Sequence, residues 1–250
     1  MLSRLKSKSI AIYILMGSVA SGKTTLAKKL ISEVNGRGHL GRYMHININH
    51  GLAYLITRLL VFLTKYRYVG NHYLTLRFNN PGLFCKYLIL MILLDAFYAP
   101  IKLLKLLIFK LHSILSGRKY VIVIDEYYFN AIIDYTYFLR HLCKNKSKRA
   151  SYAIRFLFLL SLRFLHMMNA NINIVFLETD LIKSVKGWIR REKRAIFDVC
   201  HLKFRTAGSR VIVQMFISSR STMNIKVIRG TINKLPRDLL VLLSKILSEI

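Results

Sequence analysis

Residues 9–24 read SIAIYILM followed by GSVASGKT, and the fold turns on how these two halves meet. The first half is continuously apolar and rich in isoleucine, as a strand is when a parallel sheet is covered on both faces. The second half fits G-x-x-x-x-G-K-[ST] at each specified position, namely Gly17, Gly22, Lys23 and Thr24. Two glycines at that spacing let the backbone wrap around an anion, so that successive N–H groups and the positive end of the next helix face a phosphate. Lys23 is then placed to reach β- and γ-phosphates, and Thr24 to offer its hydroxyl to Mg²⁺. With Ser18, Val19, Ala20, Ser21 and Thr25 completing the loop, the expected ligand is a nucleoside triphosphate, ATP or a close relative.

Working outward, residues 24–34 have helical spacing (Leu26, Leu30, Ile31, Val34) and stop at Asn35, Gly36 and Gly38. A short strand is expected at 43–48, a helix at 51–64, and a loop-rich connection at 65–82, where Gly70, Asn71, Asn79, Asn80 and Pro81 fall. The run YVIVID at 120–125 is a third strand ending in two carboxylates, Asp125 and Glu126. Helices follow at 129–143 and 152–168, with the cationic run 144–149 between them as a solvated loop. Strands at 172–177 and 224–228, a basic helix at 182–194 and a closing helix at 235–250 complete the pattern, while residues 195–223 receive no element. Alternating strands and helices imply one α/β domain over 1–250: a P-loop NTPase three-layer fold whose mostly parallel five-stranded sheet is flanked by helices.

Phosphoryl transfer is catalysed by positioned charge, and the sequence offers three sources besides the loop. Asp125, at the carboxyl end of a buried strand, is the expected partner of Mg²⁺ with Thr24, or the group that activates a nucleophile. Glu126 is the neighbouring candidate base. The basic helix forms a lid region at about 183–205, from which Arg190, Arg191 or Arg194 is expected to close over the γ-phosphate.

Composition sets the remaining bounds. Hydrophobic residues make up 54% of the 250 and prolines number three, which excludes a disordered or collagen-like chain. Forty Lys and Arg against eleven Asp and Glu give +29, which implies a polyanion nearby: anionic lipid, nucleic acid or a phosphorylated substrate. No nucleic-acid recognition motif is present, which disfavours the second of these. Cys85, Cys143 and Cys200 are odd in number and far apart, so reduced core thiols are expected rather than a disulfide or zinc site. The apolar segment near the N-terminus superficially resembles a signal peptide, but its removal would delete the first strand, so a cytoplasmic protein is expected.

Residues 83–116 read LFCKYLILMILLDAFYAPIKLLKLLIFKLHSIL, a helical insertion broken by charge too often for a membrane span of about 20 apolar residues. At about 100° per residue, Asp95, Lys102, Lys105 and Lys110 share one broad side. The expectation is an amphipathic helix kinked at Pro100 and buried against the sheet, with docking on an anionic inner-membrane surface as the second reading. A homodimer is left open.

The pattern resembles the thymidylate kinase family of P-loop kinases, through GSVASGKTT near the start, IDEYYFNAIIDY after the third strand, FLETD before the basic helix, and MNIKVIRG before the C-terminal helix. The resemblance covers most of the chain, with only the phosphate loop specific. It implies a kinase of a small-molecule acceptor, with Arg58 in GLAYLITRLL (residues 51–60) touching the substrate phosphate. The family has Asp-Arg-Tyr after strand three, whereas this chain has Asp125-Glu126-Tyr127. Reversing that charge weakens binding of a monophosphate. In the related deoxynucleoside kinases a glutamate near that position takes a hydroxyl proton, so Glu126 and Tyr127 are substrate candidates for a nucleoside or sugar as well.

Overall fold

The computed structural model describes residues 10–17, 21–46, 51–65, 72–144, 148–168, 171–192, 198–218, 225–231 and 246. Strands β1 (Ala11–Gly17), β2 (Leu40–His45), β3 (Tyr120–Asp125), β4 (Asn171–Glu178) and β5 (Ile225–Thr231) make one sheet in the order β2-β3-β1-β4-β5. All four pairings are parallel. Leu15 lies opposite both Asp125 and Val175, and His45 opposite Asp125, so Gly17, His45, Asp125 and Glu178 gather at one edge. Carboxyl ends collected in this way form the crevice where open α/β sheets bind ligands.

Alternation along the strands builds two cores. Ala11, Tyr13, Leu15, Val121, Val123, Val175 and Leu177 face α1 (Lys23–Gly36), where Leu26, Ala27, Leu30 and Val34 meet them. Ile12, Ile14, Met16, Ile122, Ile124, Ile174 and Phe176 face the opposite way, into a larger core. That core is closed by α2 (Gly51–Thr64), α3 (His72–Asn79), α4 (Pro81–Ser116), α5 (Tyr128–Tyr137), α6 (Lys148–Met168) and α8 (Val199–Ser218). Between β4 and α8 comes α7 (Leu181–Glu192). The result is a three-layer α/β fold with a parallel sheet between helical layers.

Several elements differ from expectation. The second strand starts at Leu40 because Gly41 packs directly on α1, donating its N–H to Asn35 Oδ1 at 2.7 Å, while Leu40 N–H bonds the Lys119 carbonyl at 3.0 Å. The connection expected over 65–82 contains α3, and α6 begins at Lys148 inside the cationic run. After α5 the chain tightens into a π-helical turn, Phe138–Leu142. The closing helix lies outside the described residues apart from Ile246, which is helical and packs in the α1-side core. The missing element is α8, twenty residues long. Its midpoint, Gly208, lies so close to α5 that a Cβ there would sit 2.8 Å from Ile133 Cγ2. A glycine in a helix thus marks close packing here.

Helix α4 departs most from its expectation. Asn80 caps it by accepting the Leu83 N–H at 2.9 Å, Gly117 (φ +63°) ends it, and one helix continues through Pro100, whose ring is exposed. Its charged side is turned partly inward: buried Asp95 accepts the Tyr135 hydroxyl and Lys110 donates to the Met168 carbonyl at 2.8 Å, while Lys102 lies 5.8 Å over the ring of Tyr98 on the same helix and Lys105 stays exposed. Burial, ahead of Lys105 and against Asp95, pushes the Lys102 ammonium down to about 8. An apolar side faces solvent instead. Among the described residues, α4 and residues 151–168 are each long and apolar enough to cross a membrane, contrary to the charge-based expectation, though both contribute to the core.

The cysteine expectation is also overturned, since Cys85 and Cys143 form a disulfide that ties α4 to the end of the π-helical turn, and Cys200 is free and exposed. Two residues 58 positions apart in sequence came within 5.4 Å (Cα–Cα) because α4 and the turn pack together, which spacing alone does not reveal. Reduction of this bridge is expected to lower unfolding stability by about 2–4 kcal/mol. The drop is read from the urea midpoint with and without dithiothreitol, to which a Cys85→Ser/Cys143→Ser variant should be indifferent.

Candidate functional site

The site is built at the point where β1 stops. Gly17 adopts φ +135°, and a Cβ on it would lie 2.1 Å from the Leu177 carbonyl oxygen, so only glycine lets β1 and β4 stay paired to this edge. Ser18, Val19 and Ala20 lie outside the described residues. The chain re-enters at buried Ser21 and at Gly22, whose carbonyl accepts the Leu26 N–H at 2.9 Å as α1 begins. Lys23 Nζ reaches back to β1, donating to the Gly17 carbonyl at 3.2 Å and standing 4.0 Å from Glu126 Oε1. Thr25 points outward and is exposed.

One residue along, Thr24 donates its hydroxyl to Asp125 Oδ2 at 2.5 Å, joining the first turn of α1 to the end of β3. Tyr43, from β2, donates to the same oxygen at 3.3 Å, and burial followed by the Asp125 charge pushes its phenol up to about 12. The other oxygen, Asp125 Oδ1, is buried with no hydrogen-bond partner among the described residues. A hydroxyl and a carboxylate side by side, with one carboxylate oxygen uncommitted, fit a small hard cation that takes its remaining ligands from water and phosphate. No cluster of three or more His, Cys, Asp or Glu side chains suited to a metal occurs among the described residues.

Glu126 completes the edge in an unusual way. Its backbone is left-handed (φ +63°), a conformation uncommon for a residue with a side chain and shared with Lys65 and Lys144 among the described residues. Its carbonyl accepts the Ile46 N–H at 3.1 Å, and its carboxylate meets Arg205 of α8 at 3.0 Å. Arg205 in turn lies 3.6 Å from Asp134 of α5, which also holds His201 Nε2 at 2.8 Å. A row of charges therefore runs from Lys23 through Glu126, Arg205 and Asp134 to His201. Burial pushes the Glu126 carboxyl up, but Arg205, Lys23 and His45 outweigh it and bring it down to about 2. Burial likewise disfavours the charged Arg205, yet Asp134 and Glu126 hold its pKa above the ordinary value.

Helix α8 is anchored so that Arg205 arrives in place. Asp198 caps it, accepting the His201 N–H at 2.9 Å, and the same carboxylate receives Arg77 from α3 and the Tyr137 hydroxyl at 2.9 Å. His201 and Arg205 are one turn apart and share the inward face. One turn before Asp134, Asn130 is fully buried with neither side-chain atom hydrogen-bonded among the described residues.

The chain matches no family model and no curated protein.

Of the residues singled out in the sequence, the fold brings together Gly17, Ser21, Gly22, Lys23, Thr24, Asp125 and Glu126. Tyr127 is turned away: its ring is fully buried and its hydroxyl donates to the Ser161 carbonyl at 2.9 Å. Arg58 follows the buried Thr57 on α2 and is exposed, with no ion pair to the charge row among the described residues. Arg190 is exposed on α7, the side chain of Arg191 is not described, and Arg194 lies outside the described residues. The cation that does reach the carboxylates is Arg205, the last residue of the expected lid region, carried by the helix that had no counterpart in the sequence reading. Arg205, Asp134, His201 and Tyr43 were therefore missed. A basic residue and a histidine four apart were their one local signal.

Two outcomes test this geometry. Gly17→Ala must relieve a contact with β4 and adopt a strained φ, so it is expected to cost about 1–3 kcal/mol in thermal or urea unfolding. Glu126 is more acidic folded than unfolded, so its contribution is complete above about pH 4.5 and disappears as pH falls toward about 2. Glu126→Gln, which strands part of the Arg205 charge, should lose about 3 kcal/mol at neutral pH. Its deficit relative to the parent chain should shrink steadily between about pH 5 and pH 2 in urea titrations.

Proposed function

We propose that this chain is an ATP- and Mg²⁺-dependent phosphotransferase acting on a small molecule, with the P-loop NTPase fold and most like the thymidylate and other nucleoside-monophosphate kinases. The observation that carries the reading is the pairing of Lys23 with the Gly17 carbonyl and of Thr24 with Asp125 at one edge of the sheet. Lys23 already reaches Gly17, the first residue of the segment that the sequence marks for phosphate, and Thr24 and Asp125 are in contact before any cation arrives. Mg²⁺ held by Thr24 and Asp125 would neutralise charge on the phosphate oxygens. Such a protein belongs where nucleoside triphosphates are, in the cytoplasm.

The chain's own residues have separate tasks in this reading. Lys23 leaves the Gly17 carbonyl and the neighbourhood of Glu126 to follow the phosphates. Withdrawal of that cation removes one of the charges that hold the Glu126 carboxyl down, Arg205 being the larger, and so makes the carboxylate a better acceptor for the proton of an acceptor hydroxyl. Arg205 holds Glu126 in place meanwhile. The lid arginines Arg190, Arg191 and Arg194 remain candidates for the γ-phosphate.

A neutral hydroxyl acceptor, such as a nucleoside or sugar, is the second reading. It is favoured by the pairing of Arg205 with both Glu126 and Asp134, which commits its charge and leaves little for an acceptor phosphate. Calorimetry with Mg·ATP is expected to register binding that Lys23→Ala abolishes. ADP release measured across nucleosides, nucleotides and sugars should then rise with one acceptor class, and Asp125→Asn should lower it on the order of a hundredfold or more. ATP binding without stimulation by any acceptor would reject phosphotransfer.

A further inference from the structure

Helix α4 carries a second surface that the phosphate site does not use. From Leu90 the exposed apolar residues recur three or four apart, through Phe97, Ile101, Leu104 and Ile108 to Leu115, and so line one narrow side of the helix. The 25 steps from Leu90 to Leu115, at about 1.5 Å of helical rise each, make this ridge about 38 Å long. Phe97 is 75% exposed and Leu115 85%. The neighbouring α2 does the same: Ala53, Thr57 and Val61 face the core, while Leu52, Leu55, Leu59 and Phe62 face out, the last at 77%. Exposed apolar tracts of this extent mark interaction surfaces.

The charges around the ridge select its partner. Residues 51–170 contain seventeen Lys and Arg but only four acidic residues, Asp95, Asp125, Glu126 and Asp134. Three of the four are buried and the Glu126 side chain is 14% exposed, so no carboxylate in this stretch is presented to solvent. Lys86 lies in line with the ridge at its N-terminal end and Lys105 beside it, both exposed, and Arg155 and Arg163 are exposed on α6, which packs against α4. A second copy of the chain would bring like charge against like charge. An apolar face bordered by lysine and arginine, with no acid to repel phosphate, fits the boundary of an anionic bilayer, where side chains enter the acyl region and ammonium groups stay among the head groups.

We infer that the outer face of α4, joined by that of α2, seats the protein on an anionic lipid surface. The helix lies along the surface and does not cross it, because its other side is committed to the domain through Asp95 with Tyr135, Lys110 with the Met168 carbonyl, and the bridge from Cys85. Phosphate chemistry at the sheet edge is not needed for this contact.

The test is flotation of the full chain, without nucleotide, on vesicles of phosphatidylglycerol mixed with phosphatidylcholine and on phosphatidylcholine alone. The chain is expected to float with the mixed vesicles only. Phe97→Asp/Leu115→Asp, which alters exposed residues and should leave circular dichroism unchanged, is expected to weaken binding on the order of tenfold or more, and Lys86→Glu/Lys105→Glu to weaken it as well. Three results overturn the inference: no flotation with the anionic vesicles, equal flotation of the Phe97/Leu115 variant, or equal binding to phosphatidylcholine alone. A dimer in sedimentation that the Phe97/Leu115 variant dissolves would overturn it too, by assigning the face to a second copy. Because nucleotide is absent, failure here leaves the calorimetric test of phosphotransfer untouched.

Discussion

Two carboxylates, Glu126 and Asp134, pair with two buried cations, Lys23 and Arg205, beside the carboxyl edge of the sheet, where Asp125 accepts the Thr24 hydroxyl. Buried charge is tolerable only when it is paired, and the surrounding elements keep it so. Helix α1 begins where it does to hold Thr24 against Asp125. The left-handed turn at Glu126 sends its carboxylate toward the two cations, and the cap at Asp198 fixes the start of the helix that delivers Arg205. The chain has eleven acidic residues in all. That three of them, Asp125, Glu126 and Asp134, gather at the end of β3 and on the helix that follows it says more about where charge is used than the overall excess of lysine and arginine does.

How much of this was legible in the sequence depended on the range of the interaction. The loop and the strands flanking it are local, and their residue types are dictated by backbone geometry and two-sided burial, so β1, β3 and β4 could be read from SIAIYILM, YVIVID and INIVFL. The edge strand β2 is covered on fewer of its positions, its signal is correspondingly weak, and its start was misplaced by three residues. Helix α8 lacked a distinct apolar stripe because Arg205, His201 and Ser209 occupy its buried side together with Leu202, Ile212 and Phe216. A buried arginine looks like a surface arginine until its partners, Glu126 and Asp134, are known to lie opposite it. The disulfide was hidden for the same reason, since it follows from the packing of α4 on the π-helical turn.

Helix α4 shows the limit of periodicity. Its charged side was legible, but the direction of that side was not, because the hydroxyl of Tyr135 and the carbonyl of Met168 offer Asp95 and Lys110 partners inside the domain. Period says which residues share a face. It does not say which face is covered, and here apolar residues occupy both.

Gly208 gives the separation of α8 from α5 an origin outside the charges altogether. With no carbon beyond its Cα, that position lets the helix settle against Ile133, and Arg205 lies one turn earlier on the same rod. The close α5–α8 approach that the Arg205–Asp134 and His201–Asp134 pairs span is thereby permitted by the smallest residue near it. The approach of Arg205 to Asp134 thus relies on room left by a neighbouring residue that carries no charge.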